Sequence, residues 1–235
     1  MQVTTNEKLI KRRGRWGTYA ALGGVAVLIL GMIASLQQQQ QYMWISLIAI
    51  VLGFLLAQVG NYNLRRYSRT PRPDQVLETA FKGLDDRYHY YAWSLPVPYA
   101  LLTPHGIFAF TARDQTGQIS VNGSQWRSKL TLSRVLTIFA QEGLGNPTSE
   151  ALDTAARLGD WIKKALPDVA AKVQPVIVFI DDRAQLQITE PTVPVLDPKG
   201  LKKWVRVAGR GEHLKSADYR ALEELFNGNA AAVSK

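Results

Sequence analysis

Forty-two consecutive residues, 19–60, contain no Asp, Glu, Lys or Arg. Two apolar runs fill this stretch, "YAALGGVAVLILGMIASL" (Tyr19–Leu36) and "YMWISLIAIVLGFLLAQVG" (Tyr42–Gly60). At about 1.5 Å per residue, each is just long enough for a hydrocarbon core of roughly 30 Å. Between them lie five glutamines, Gln37–Gln41. Amides have no hydrogen-bonding partners in lipid, so the glutamines belong at a surface. The pattern predicts a transmembrane hairpin with helices over about 19–36 and 42–60. A cleaved leader would explain the first run, but a second run follows within a few residues, and no small-x-small site precedes a plausible mature start. A buried hairpin of a soluble protein fits the absence of charge poorly. The glycines Gly23, Gly24, Gly31 and Gly53 are read as ordinary glycines of membrane helices rather than as points of close helix approach.

Charge sharpens this reading. Of the formal net charge of +9, residues 1–18 carry +4 and residues 61–72 carry +4, leaving +1 for everything after Arg72. The first group is Lys8, Lys11, Arg12, Arg13 and Arg15 against Glu7, and the second is Arg65, Arg66, Arg69 and Arg72. Basic flanks around a neutral loop place both flanks in the cytoplasm, by the positive-inside rule. The expected localisation is therefore the cell membrane, multi-pass, with both termini cytoplasmic and the lipid bilayer as one partner. The chain divides into a basic segment (1–18), the hairpin (19–60), a basic linker (61–73), a cytoplasmic domain (74–229) and a loose tail (230–235).

The domain reads as a small α/β unit with a mixed sheet. "DQVLETAFKGLDDRY" places Val76, Leu77, Ala80, Phe81 and Leu84 on one helical face, with Asp74 as cap. Strand-like segments follow in "YHYYAWSL", "YALLTP", "GIFAFTAR" and "GQISVNG", with turns at Pro104–Gly106 and Thr116–Gly117. "WRSKLTLSRVLTIFAQEGLGNP" is expected to be a loop and a short helix. "NPTSEALDTAARLGDWIKKALP" is a helix whose apolar face is Leu152, Ala155, Ala156, Leu158, Trp161, Ile162 and Leu166. "VQPVIVFIDD" is a strand covered on both faces, and "QLQITE" should pair near it. "LDPKGLKKWVRV", opened by Asp197-Pro198, and "ADYRALEELFN" are closing helices. The segment from about Arg72 to Asn229 is expected to fold on its own.

The chain has no cysteine, so disulfides and thiolate metal sites are excluded. Its three histidines, His89, His105 and His213, form no HExxH-type spacing.

The stretch "PYALLTPHGIFAFTARDQTGQISVNGSQW" carries a resemblance. With its Pro-His-Gly turn, the "GIFAF" strand, Gly117-Gln118-Ile119, Trp126, the Asn146-Pro147 helix start and "VIVFIDDRAQLQI", it resembles the nuclease-related domain (NERD) family. That family is a branch of the restriction-endonuclease-like superfamily. The resemblance covers Asp74 to Val207 and implies a restriction-endonuclease-like core. It also implies a metal-binding Asp, then a strand ending in Glu-x-Lys, and Asn-Pro-x-x-Gln at a helix start. Here Pro98 falls at the Asp position, Thr111 at the Glu, Arg113 at the Lys and Glu150 at the Gln. A one-residue slip brings in Tyr99 or Ala112 and restores nothing. Proline offers no side-chain ligand, threonine offers a neutral hydroxyl, and arginine does not give up its proton near neutral pH. The resemblance thus implies a degenerate site, no cofactor, and a binding, scaffolding or accessory-subunit role with a protein partner.

Two other functions remain open at this level. A membrane-tethered nuclease using Mg²⁺ would need replacement ligands, and Asp114, Asp181 and Asp182 are the candidates, although a pair such as Asp181-Asp182 is more often a solvated turn. A nucleic-acid-binding or sensing module would use Arg113, Arg127, Lys129 and Arg134 as a basic surface. A domain of almost neutral charge favours nucleic acid less than it favours the anionic inner leaflet.

Overall fold

A computed structural model describes residues 1–37, 40–128, 143–208 and 213–234. The chain forms two compact units. One is Glu7–Arg72, and the other joins Met1–Asn6 to Pro73–Lys235.

The first unit is a pair of helices, α1 (Glu7–Ser35) and α2 (Gln40–Tyr67). Both are long and apolar enough to cross a membrane. Helix α1 begins inside the basic segment, so Lys11, Arg12, Arg13 and Arg15 lie exposed on its first turns, while Arg65, Arg66, Arg69 and Arg72, partly exposed, lie at and just past the end of α2, at the same open end of the pair. Helix α2 takes in Gln40 and Gln41, which shortens the expected glutamine loop.

The glycines contradict the reading given above. A Cβ on Gly24 would lie 2.8 Å from the backbone N of Ala57 and from the carbonyl O of Gly53. One on Gly60 would lie 2.5 Å from Ala21 N, and one on Gly31 would lie 2.6 Å from Ala49 Cβ. Gly14 and Gly17 extend the same seam, spaced with Gly24 and Gly31 at three, seven and seven residues. The helices touch backbone to backbone, so these are contact glycines. Only Gly23 matches the sequence reading, with nothing within 4 Å of its would-be Cβ. At the open end of the pair, Arg72 Nη2 donates to Glu7 Oε1 at 2.8 Å.

The second unit is built on a six-stranded mixed sheet. In chain order its elements are β1 (Gln2–Thr5), α3 (Pro73–Phe81), β2 (His89–Ala92), β3 (Tyr99–Thr103), β4 (Gly106–Arg113), β5 (Gly117–Asn122), β6 (Gln125–Ser128), α4 (Pro147–Ala165), β7 (Val173–Phe179), β8 (Ala184–Thr189), β9 (Val195–Leu196), α5 (Pro198–Ala208) and α6 (Ser216–Ser234). The main sheet has the order β1-β2-β3-β4-β7-β9, and a three-stranded sheet has the order β6-β5-β8. Strand β3 is antiparallel to both neighbours, whereas β1–β2, β4–β7 and β7–β9 pair in parallel. Side-chain alternation along the strands divides the core. Tyr90, Phe108, Phe110, Val176 and Val178 pack with Leu77 and Phe81 of α3 and Leu201 and Val205 of α5. Tyr91, Ile107 and Ala109 pack with Leu158 and Ile162 of α4 and Leu222 and Phe226 of α6.

Several sequence expectations change here. The basic segment 1–18 divides after Asn6, because its first residues form the edge strand β1 against β2 in register Val3↔Tyr90. Four residues, "QVTT", are too short to show an alternation, so nothing local marked them. Strand β8 pairs with β5 in the smaller sheet rather than near β7. Gln125–Ser128 is a strand instead of the start of a loop, while residues 129–142, expected to hold the loop and short helix, lie outside the described residues. Asp74 is buried within the first turn of α3. On α4, Ala155, Leu158 and Ile162 are buried as expected, with Trp161 and Leu166 partly buried, but Leu152 is 46% exposed while Thr148, Ala151 and Thr154 are buried, so the first turns face the core on a different side than expected. The tail is helical. Helix α6 continues to Ser234, Ala230 is buried, and Asn6 Nδ2 donates to Val233 O at 3.2 Å. The domain that folds therefore includes residues at both ends beyond 74–229.

Candidate functional site

Strand β4 carries Thr111 and Arg113 on one face, in register with Ile177 and Phe179 of the parallel strand β7. The face is covered by the first turns of α4. This helix starts where the sequence says it should: the Asn146 side chain accepts from Ser149 N at 3.2 Å and Pro147 occupies the first turn, both favourable there. A third anchor comes from β6, where Trp126 Nε1 donates to Thr148 Oγ1 at 2.8 Å.

That framework brings Glu150 onto Arg113. The Arg113 Nη2 group forms an ion pair with Glu150 Oε2, with the Arg113 side chain 9% exposed and that of Glu150 38%. A guanidinium this buried needs such a partner, since an uncompensated charge in a low-dielectric interior is costly. Beside it, Thr111 is also buried. Among the described residues, Thr111 Oγ1 and Arg113 Nε have no hydrogen-bond partner. An open depression of about 560 Å³ borders the site, lined by Asn146, Ser149, Glu150, Asp153 and Arg157.

The other candidates separate. Pro98 is half-buried before β3, and its carbonyl accepts from Trp93 N at 2.8 Å. Asp114 is half-buried just past the end of β4. Asp181 is held in a local turn, where Oδ1 accepts from Arg183 N at 3.1 Å and from Nε at 2.9 Å, and Oδ2 accepts from Nη2 at 2.9 Å. These bonds raise the Arg183 guanidinium above its ordinary value, chiefly through the hydrogen bonds themselves. Asp182 is exposed and 3.9 Å from Lys199 Nζ. Among the described residues, no three His, Cys, Asp or Glu side chains gather where an ion could sit. Asp114, Asp181 and Asp182 are thus not brought together as a ligand set.

The expected basic surface is also revised. Arg113 points inward and is neutralised, and Arg127 is exposed on β6. Lys129 and Arg134 lie outside the described residues. The Arg113–Glu150 contact was missed because 36 residues separate the two positions. The available signal was that an arginine and a glutamate stand where the resemblance implies lysine and glutamine. The chain matches no family profile, no curated protein and no solved structure.

Proposed function

We propose that this chain is a membrane-anchored, NERD-like protein whose domain binds or scaffolds a protein partner instead of cutting nucleic acid. The observation that carries the reading is the Arg113–Glu150 ion pair. A divalent ion poised for phosphodiester hydrolysis needs converging anionic oxygens. Here a fixed cation already takes the Glu150 carboxylate on that face of β4. Mg²⁺ brought close would meet a guanidinium that cannot deprotonate to make room.

The anchoring part of the proposal draws on chain connectivity. Strand β1 and the elements from Pro73 onward belong to one folded unit, and the two apolar helices run between them. If those helices cross a bilayer, both of their outer ends must return to the same side of it. The basic flanks then favour the cytoplasm.

Two experiments test these parts separately. The full-length protein in detergent should leave DNA and RNA intact with Mg²⁺ or Mn²⁺. Metal-dependent turnover that disappears in Asp114→Ala or Asp181→Ala, but survives an exposed-residue control, would overturn the non-catalytic reading. A reporter active only outside the cytoplasm, fused after Lys235, should stay silent, and a strong signal would overturn the topology.

A further inference from the structure

We propose that His105 and His213 form a binding site for a divalent transition-metal ion, of the Cu²⁺ or Ni²⁺ type, that clips the β3–β4 turn to the segment entering α6. The two residues are far apart in sequence, and the fold places their rings with centroids 4.5 Å apart and planes inclined at 56°. Both are held by backbone. His105 N donates to Thr103 Oγ1 at 3.1 Å in the turn, and Leu214 N, the residue after His213, donates to Pro104 O at 3.0 Å. His105 is half-buried and His213 exposed, so water can reach them to complete a coordination sphere.

The spacing selects the ion. A histidine nitrogen binds such ions at about 2.1 Å, which puts the ring centre about 3.2 Å from the metal. An ion in line with one nitrogen of each ring would see two ring centres 4.5 Å apart at about 90°. That is the angle between neighbouring ligands in square-planar or octahedral geometry, which Cu²⁺ and Ni²⁺ favour, and it is tighter than the tetrahedral angle of structural zinc. Competition within the chain is small. There is no cysteine, and the third histidine, His89, is 4% exposed on β2 with Nε2 3.5 Å from Glu223 Oε1. An ion that seeks imidazole therefore has one accessible pair. The site is separate from the Arg113–Glu150 face, and its fate does not depend on the membrane or scaffold reading.

The test is calorimetric titration of Ni²⁺ and of Cu²⁺ into the full-length protein in detergent, prepared without a polyhistidine tag, at about pH 7.5. One ion should bind per chain. His105→Ala and His213→Ala should each weaken binding at least tenfold, and both replacements are at accessible turn positions that the core does not use. Saturating ion should raise the thermal midpoint of the parent protein, because it binds the folded state, and should not raise that of either variant. Absence of binding below about 1 mM, binding that persists in both variants, or loss in only one of them would overturn the proposal. In each case the two rings would simply pack against each other, as aromatic pairs do.

Discussion

In the hairpin, the buried positions of α1 are Ile10, Gly14, Gly17, Gly24 and Gly31, while Leu22, Val25, Leu30, Met32 and Ile33 are at least half exposed. In the sheet domain the order is reversed. Its most enclosed side chains include Tyr90, Tyr91, Phe81, Phe108, Phe110, Phe179 and Phe226. The same apolar residue types therefore do opposite jobs in one chain. In water, enclosing a large side chain is worth about 25 cal/mol per Å² of apolar surface, so the largest residues go inside. Between two helices in lipid there is no such gain, because acyl chains are as apolar as leucine. Association then comes from close backbone packing, which small residues permit. The hairpin has the kind of interior that lipid would select and the domain the kind that water selects, in agreement with the proposed anchoring.

The comparison can be broken at several points. The largest effect is expected from Phe226→Ala, which removes a ring packed edge-on against Tyr91 at 5.3 Å and near Trp161 at 5.8 Å. Denaturant titration should show a loss of about 3–5 kcal/mol. Trp161→Ala should cost less than that, because Trp161 is only partly buried and packs against α6. Equal losses would mean that the domain interior is less selective than the burial pattern indicates.

Gly60→Leu comes next. Its Cβ would sit 2.5 Å from Ala21 N, a backbone atom that cannot step aside. Thermal unfolding in detergent should register about 3 kcal/mol of destabilisation, the upper part of the usual overpacking range. The same change at Gly23, where nothing lies within 4 Å, should be nearly neutral. A neutral Gly60→Leu would show that the helices do not depend on their glycine seam.

Asn6→Ala examines the strand that the domain borrows from before the hairpin. Asn6 N donates to Ala92 O at 3.0 Å and its side chain to Val233 O at 3.2 Å. The backbone bond survives the change and the side-chain bond to Val233 is lost, so a destabilisation of at least about 1 kcal/mol is expected, with faster amide exchange in the last turns of α6. Unchanged exchange there would argue that β1 and α6 hold the sheet independently.

The smallest effect is one of pH. Burial, and then the Glu223 carboxylate, push the Tyr219 phenol up to about 12, against a smaller opposing effect of Arg87. The folded state keeps this proton where the unfolded chain has begun to lose it. The stabilisation is thus fully present below about pH 10 and is lost as pH rises from there toward 12. Tyr219→Phe should make that decline shallower while removing the bond from the Tyr219 hydroxyl to Arg87 O. An identical alkaline slope in the variant would show that the other buried phenols, Tyr90 and Tyr91, carry the effect alone.

The two apolar helices, the helix at Pro147–Ala165, the β3–β4 turn and the covered strand β7 were all legible in the sequence. Each rests on a local cause: an unbroken apolar run, a cap with proline behind it, a glycine turn, or a run of β-branched residues. They form from neighbours along the chain, so the order of residues determines them. What lay beyond reach was every choice made between distant segments. Residues 2–5 join the sheet, β8 turns away from β7 to pair with β5, the glycines of α1 meet α2, Glu150 closes on Arg113, and His105 meets His213. In each of these the local sequence is compatible with more than one partner. A short polar strand, an alternating strand or a lone charged residue has no preferred neighbour until the sheet order and helix packing supply one. The sequence thus determined which segments are apolar and which are strands, through local physical chemistry. Only the tertiary structure decided which residues meet, because those contacts depend on burial and register shared between segments that the chain itself keeps far apart.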